Sequence, residues 1–467
     1  MSLVFHTIGS RFGSVQAIIP DNALRFRNDG PIEIITMTTQ TSLWRAFTPP
    51  TAKFETLEGS VETDVTIIGA GFTGLSTALH LAKAGKSVTV LEAEDVGFGA
   101  SGRNNGQVIP VLTRADPDYL TAKFGAAGER FVNLIGGSAA YLFDLVREHD
   151  LECEAEQSGW IQPAHSPGRF KAISEKRYRQ WEKHGADVEL LDKVNLESRI
   201  GTNFFFGGFG NKTGGHVNPL ALTRELARAA AENGAVIYER SPAMSYTEKG
   251  DGWRVTSPAG NIQSRALVVA TNAYTGEAAP ALAPRLARSV MPVTSWQLAT
   301  APLSDNVRST VVPNRQAISD THGDLHFFRY DARNRLITGG ALAMPFNGHG
   351  RIRARIAKRL QRIFPQFIEP EIEYSWTGYV GATRDHTPHF HRLGPNGWTW
   401  IGCNGRGVAL SVALGGELAK AVQGASEHDL AFPLTEIEPL PLHGFLRTTA
   451  RPFTLSLYRY RDWREMG

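Results

Sequence analysis

Cysteine is nearly missing from this chain: of 467 residues, only Cys153 and Cys403 carry a thiol. Two distant cysteines make no disulfide framework, so the sequence points to a reducing compartment and a cytoplasmic protein. Long apolar runs are missing as well. No stretch approaches the roughly 20 residues that a bilayer-spanning helix needs. The N-terminal segment has no secretory pattern, because Pro20, Asn22, Pro31 and Glu33 interrupt its short apolar pieces. Neither sign of charge dominates: 49 basic against 46 acidic residues leave a net +3, which names no nucleic-acid or membrane partner. There is no internal repeat and no low-complexity segment. What remains is an ordinary globular composition, 42% hydrophobic and 20% charged, in a chain too long for one core. Two interwoven domains are expected. Residues 1–40 read as an extension ahead of the fold, with a more ordinary start at Met37.

Glycine, by contrast, is plentiful, with 47 residues, as suits tight turns and close approaches of backbone to ligand. Val65-Thr-Ile-Ile-Gly69 reads as a buried strand. Leu75, Ala78, Leu79 and Ala82 recur at helical spacing up to Gly85, and Ser87-Val-Thr-Val-Leu-Glu92 reads as a second strand. Together they form a strand–helix–strand unit in a parallel sheet. Further on, helices are expected at 124–150, 167–184, 219–233, 351–364 and 408–422. Strands are expected at 235–239, 266–270 and 397–402, with a hairpin at 244–257 and antiparallel strands at 293–300, 325–330 and 335–339.

The motif with the clearest chemistry is Gly69-Ala70-Gly71-Phe72-Thr73-Gly74, placed between a strand and a helix. Gly69 permits the turn, Gly71 lets the backbone approach a pyrophosphate, and Gly74 lets helix and sheet pack closely. The helix N-terminus offers N–H groups and a positive dipole end to phosphate. Glu92, followed by Ala93, ends the second strand where a carboxylate accepts from ribose hydroxyls and repels a 2′-phosphate. A dinucleotide other than NADP is the expectation.

After Glu92 comes Val96-Gly-Phe-Gly-Ala-Ser-Gly-Arg-Asn-Asn-Gly-Gln107. Here the chain resembles the D-amino-acid oxidase superfamily, of the glycine-oxidase and sarcosine-oxidase type, and most of all its γ-glutamylputrescine oxidase branch. The resemblance runs from about Leu43 to about Gly424. It implies a two-domain α/β flavoprotein in which a Rossmann-like FAD domain comes from 60–115, 205–290 and 375–430. A substrate domain with an antiparallel sheet comes from 116–204 and 291–374, and a tail follows at 431–467. It further implies non-covalent FAD, with Ser101, Gly102, Arg103, Asn104, Asn105, Gly106 and Gln107 along the flavin and Ala100 and Ser101 near the pyrophosphate. Asn105 stands where the branch usually has glycine. Gly402-Cys-Asn-Gly405-Arg406-Gly407-Val408 resembles the family's C-terminal flavin loop, whose helix N-terminus favours negative charge on the reduced flavin. Thr271 and Asn272 resemble the turn on the adenylate side.

The reaction implied is oxidation of an amine C–N bond. Hydride passes from the α-carbon to flavin N5, water hydrolyses the imine, and oxygen or another acceptor takes the electrons. No catalytic residue is assigned. In glycine-oxidase-like relatives, an arginine two residues after the glycine of Trp-x-Gly grips the substrate carboxylate. Here Trp376-Thr-Gly378 is followed by Tyr379 and Val380, both candidates for the substrate pocket. That favours a γ-glutamylputrescine-like or secondary amine. An α-amino acid is the alternative substrate, and a non-catalytic FAD protein the alternative role. His386, His389 and His391 lack a second ligand cluster and are read as binding no metal. The basic segment 351–362 carries an apolar stripe and is read as a solvated face, so no nucleic acid is expected. Oligomeric state is not legible.

Overall fold

A computed structural model of the chain describes residues 41–50, 53–112, 114–342 and 347–466. The extension expected at residues 1–40 lies outside the described residues. Two eight-stranded sheets carry the fold. The first runs in the order His389–Gly394, Gly397–Ile401, Gly260–Val269, Gly59–Ile68, Val88–Leu91, Val236–Tyr238. From Gly397–Ile401 onward these strands are mutually parallel. The hairpin Ser245–Lys249 and Gly252–Ser257 branches from Gly260–Val269.

Both centre strands end in unbroken buried runs, Val65–Ile68 and Ala266–Val269, as a sheet covered on both faces requires. Helices Phe72–Lys83 and Gly407–Val422 pack against each other over one face. There the Ser76 hydroxyl donates to the Val412 carbonyl at 2.8 Å, and a β-carbon at Gly415 would run into Ser76.

The second sheet runs Ile372–Ala382, Met291–Pro302, Arg335–Gly340, Phe327–Tyr330, Ala317–Ser319, Trp160–Pro163, Gly208–Asn211, Val188–Leu191. It is antiparallel except where Ala317–Ser319 meets Trp160–Pro163. One face buries Leu298, Ile318, Phe328 and Leu336 against Ile352, Ile356, Leu360 and Ile363 of the helix Gly348–Ile363. Alternation along the strands turns Ala317, Ser319, Phe327, Arg329 and Gln297 to the opposite face, toward the first sheet.

Most expected elements are present with shifted ends, such as the helix Ala126–Glu148 for 124–150 and Pro219–Glu232 for 219–233. The stretch 167–184 is helical but widens to π-type over Phe170–Glu175. Two strands correct the expected domain boundaries. Gly208–Asn211 and Ile372–Ala382 both belong to the second sheet, so the stretches beginning at 205 and 375 reach the first part only after these strands. Backbone pairing overrides sequence neighbourhood here, since glycine-rich strands carry little signal of their own.

The expected tail contains the helix His443–Met466, docked by polar contacts. Asp462 accepts from the Gly323 amide at 2.9 Å, Arg459 pairs with Asp324 at 3.1 Å and Arg169 with Glu465 at 2.8 Å. No helix among the described residues is long and apolar enough to cross a membrane.

Candidate functional site

Four parallel strands end at the same edge of the first sheet, and the glycine-rich segments lie just beyond them. Gly69 follows Ile68, Glu92 follows Leu91, Ala270 follows Val269, and Gly402 follows Ile401. The carboxyl edge of an open parallel sheet is where ligands bind in such folds.

Gly69 has φ +106°, in the left-handed region, and a β-carbon there would stand 3.1 Å from the Ala270 carbonyl oxygen. Gly71 caps the helix Phe72–Lys83 without a side chain, and a β-carbon on it would come 2.8 Å from Ser101 Oγ. That hydroxyl accepts from the Phe72 amide at 3.0 Å, so Ser101 sits at the helix N-terminus. Gly74 has no room for a β-carbon against the Gly69 carbonyl. Thr73 accepts from the Trp400 indole at 3.0 Å, which ties the helix to the strand Gly397–Ile401. The Glu92 carboxylate accepts from the Ala70 amide at 2.8 Å and the Glu94 amide at 3.1 Å. Burial pushes its carboxyl up, while hydrogen bonds from the backbone of Ala70, Glu94 and Ala93 oppose that shift. A narrow cradle at a helix N-terminus, flanked by a fixed carboxylate, fits a dinucleotide without a 2′-phosphate.

The stretch 100–107 leaves this cradle and crosses to the second sheet. Asn104 holds the turn, donating to the Ala100 and Ser101 carbonyls at 3.0 and 2.9 Å and accepting from the Gly106 amide at 2.7 Å. Asn105 accepts from the Gln107 amide at 2.9 Å and is not among the positive-φ residues, so its position does not demand glycine. Gln107 donates to the Ile318 and Phe328 carbonyls at 2.8 and 3.2 Å. Arg329 spends its guanidinium on three carbonyls, those of Asn105, Tyr330 and Val217, at 2.6, 2.8 and 2.9 Å. Two indoles, Trp376 and Trp44, donate to the Arg103 and Asn104 carbonyls at 2.8 Å each. The Arg103 side chain donates to the Phe98 carbonyl at 2.7 Å. The loop is thus pinned between the two sheets.

Thr271 shares a hydroxyl contact with Thr275 at 2.6 Å, and Asn272 accepts from the Gly402 amide at 3.0 Å, so both side chains shape the turn. Gly405 has φ +81° and lies beside Val380, whose Cγ1 would be 4.0 Å from a β-carbon there. Tyr379 is buried and its ring tilts against Tyr274 at 5.3 Å. Arg384, the next arginine along the strand's exit, is exposed. Val408 is buried one residue into the helix Gly407–Val422.

Arg406 goes elsewhere. Its side chain crosses to the second sheet, donates to Ser319 Oγ at 3.1 Å and lies 5.3 Å from the Trp160 ring centre. It is 4% exposed, and burial pulls its guanidinium down to about 9, with Arg177 adding repulsion. Its Nε and Nη2 have no hydrogen-bond partner among the described residues, nor do Gln107 Oε1 and Gln297 Oε1. The structure therefore places the cradle, Glu92 and the 402–408 loop at one edge of the first sheet, with the 100–107 loop crossing from there to the second sheet.

The histidines His386, His389 and His391 are held apart by different partners: Arg114, Asp385 and the Thr435 carbonyl. A group that the sequence reading passed over is Asp320, His322 and His326, buried behind Ser319. Asp320 accepts from the His322 ring at 2.5 Å and pairs with the His326 ring at 3.0 Å. His165, His322 and His326 stack at 4.1 Å spacings with ring planes only 26° and 27° apart. Near-parallel rings do not converge their in-plane lone pairs on one point, so the cluster reads as a packed network. The signal was present as Asp-Thr-His-Gly-Asp-Leu-His, but nothing in the sequence says that this turn is buried.

A two-sheet α/β fold with a glycine-rich turn at the carboxyl edge of its parallel sheet is the arrangement of dinucleotide-binding proteins. The chain belongs to the DAO family of FAD-dependent oxidoreductases, whose profile matches residues 64–421. It is 30% identical over 413 residues to γ-glutamylputrescine oxidoreductase of Escherichia coli, covering 88% of this chain and 95% of that one. It is 29% identical over 220 residues to glycine oxidase of Bacillus licheniformis, covering 46% and 55%. The fold is similar to L-proline dehydrogenase from P. horikoshii at TM-score 0.68 and 19% identity, covering 80% of this chain and 96% of that one. It is also similar to glycine oxidase from Geobacillus kaustophilus, at 0.65 and 22%, covering 80% and 99%. FAD is the cofactor, and the cradle and the 100–107 loop are the residues present that fit it.

Proposed function

We propose that this chain oxidises the C–N bond of a γ-glutamylputrescine-like or secondary amine. The observation that carries this reading is the likeness to γ-glutamylputrescine oxidoreductase along nearly the whole of both chains. Val380 supports it: a valine in place of a carboxylate-gripping arginine gives an α-carboxylate no bidentate partner, and Arg384 is exposed. Bound FAD supplies the two-electron acceptor. The cradle Gly69–Gly74 holds the pyrophosphate, Glu92 the ribose, and Ala100–Gln107 and Gly405–Val408 flank the flavin. Tyr379 and Val380 line the reacting end of the crevice, where an apolar wall excludes water and favours the neutral amine. The electron acceptor is oxygen or another oxidant.

The test is anaerobic bleaching of the bound flavin by polyamines, γ-glutamyl amines and α-amino acids. Fast bleaching by an amine without an α-carboxylate is expected. If glycine, sarcosine or D-alanine gives the highest kcat/KM, the substrate is an α-amino acid instead. If no compound bleaches the flavin, the proposed turnover is refuted.

A further inference from the structure

Among the described residues, Arg406 is a buried cation with no carboxylate partner and with donor nitrogens unmet. The other buried arginines nearby are committed. Arg329 is spent on three carbonyls, and Arg177 pairs with Asp116 at 2.6 Å and Gln162 at 2.5 Å. Arg406 has the Ser319 hydroxyl and the face of Trp160, and two of its donor nitrogens are unmet. Among the described residues no carboxylate pairs with it, and Arg177 repels it. An uncompensated guanidinium is costly to bury, and its planar fork matches a carboxylate. Ser319 and Trp160 lie on the face of the second sheet that turns toward the first, and the unmet nitrogens are buried there.

We infer that Arg406 is the anchor for a carboxylate on the amine substrate, set apart from the reacting carbon. This rests on the reading that Tyr379 and Val380 line the reacting end. Those two residues lie on Ile372–Ala382, the edge strand of the second sheet, while Ser319 and Trp160 lie on strands four and five places away in the order. An α-carboxylate sits one bond from the reacting carbon and cannot reach from one end to the other. A carboxylate carried several bonds away can. Trp160 serves as a flat wall behind the guanidinium, and Ser319 fixes its rotation. Both are positioning residues.

The experiment uses the FAD-loaded protein and its Arg406→Gln, Arg406→Lys and Ser319→Ala variants. Three quantities are read: kcat/KM for γ-glutamylputrescine and for putrescine, binding of glutarate by thermal shift, and the flavin midpoint potential. In the wild type, the carboxylate-bearing amine is preferred and glutarate binds. In Arg406→Gln, the preference ratio falls by roughly 30-fold or more, as expected for loss of one partner of a buried charge pair, and glutarate binding is lost. Arg406→Lys keeps the charge without the fork and falls between. Ser319→Ala lowers the ratio less, and it serves as the reporter if Arg406→Gln does not fold. An unchanged ratio overturns the inference, and so does a lowered potential with the ratio intact, which would assign the cation to the flavin. If the wild type oxidises neither amine, the amine reading fails. Arginine-dependent glutarate binding would then still uphold the anion site, and its absence would overturn it.

Discussion

Replacing Gly71 with valine puts a branched side chain at the narrowest point of the cradle. Its β-carbon would lie 2.8 Å from Ser101 Oγ, which accepts from the Phe72 amide. Within the protein alone the contact is soft, because Ser101 is a short side chain that can turn away. The expected loss is overpacking of about 1–3 kcal/mol with a cap hydrogen bond of about 1 kcal/mol. Phosphate loses more. Each hydrogen bond to a charged group is worth about 1.5–3 kcal/mol, so pushing the pyrophosphate off two amides removes about 3–6 kcal/mol, or roughly 10²- to 10⁴-fold in Kd. The double variant Gly71→Val/Ser101→Gly separates the two effects. It relieves the internal collision but leaves the methyl groups in the way of phosphate. Thermal unfolding of the apoprotein should show stability recovering, while FAD titration by fluorescence quenching should show affinity still lost. Full flavin occupancy in either variant would refute the placement of the pyrophosphate at Gly71.

Four further outcomes are expected. Acid precipitation should release all the flavin into solution, because Trp376-Thr-Gly378-Tyr-Val-Gly-Ala-Thr-Arg contains no cysteine to hold it; yellow pellets would contradict this. Arg329→Met strands three carbonyls and should cost about 3 kcal/mol or more, with flavin content falling alongside; urea unfolding and flavin content measure both. Burial holds the His326 imidazole down at about 4 against an ordinary 6.5. The unfolded chain therefore binds that proton first, so this stabilisation is complete above about pH 6.5 and drains as pH falls toward 4. The drop in Tm between pH 7 and pH 5 should narrow in His326→Gln, and an equal drop in both proteins would count against the assignment. Oxygen consumption should be slow relative to turnover with an artificial acceptor, since Leu336-Ile-Thr-Gly339 carries no lysine; rapid peroxide production would overturn that expectation.

The parallel half of the fold was legible because its physics is local. Buried parallel strands read as near-continuous runs rich in aliphatic and β-branched residues, and Val65–Ile68, Val88–Leu91 and Ala266–Val269 are such runs. The phosphate cradle was legible for a similar reason, since strand, glycines and helix follow one another in the chain. Much of the second sheet was not. Gly208–Asn211 is half glycine, and Ile372–Ala382 mixes glycine with polar residues, so only their partners make them strands. Arg406 was legible as part of a flavin-loop motif, but the destination of its side chain depends on where Ser319 and Trp160 fold. The Asp320 histidine group was hidden because its burial is supplied from elsewhere in the chain: His165 stacks on His322, and Asp462 of the last helix holds the Gly323 amide.

The two sheets are interleaved along the chain. Val65 pairs with Ala266, Leu267 with Gly397, and Met291 with Ala382. No single cut therefore yields two pieces that each contain a complete sheet. A fragment ending before Gly260 lacks the strand that fills the middle of the parallel sheet, and one beginning after it lacks the phosphate cradle. Gly397–Ile401 follows its partner Gly260–Val269 by more than a hundred residues, so the parallel sheet cannot be complete until that stretch has been made. A chain nicked in a surface loop would hold together as one particle and keep its flavin, whereas the same two pieces expressed separately would need each other to fold.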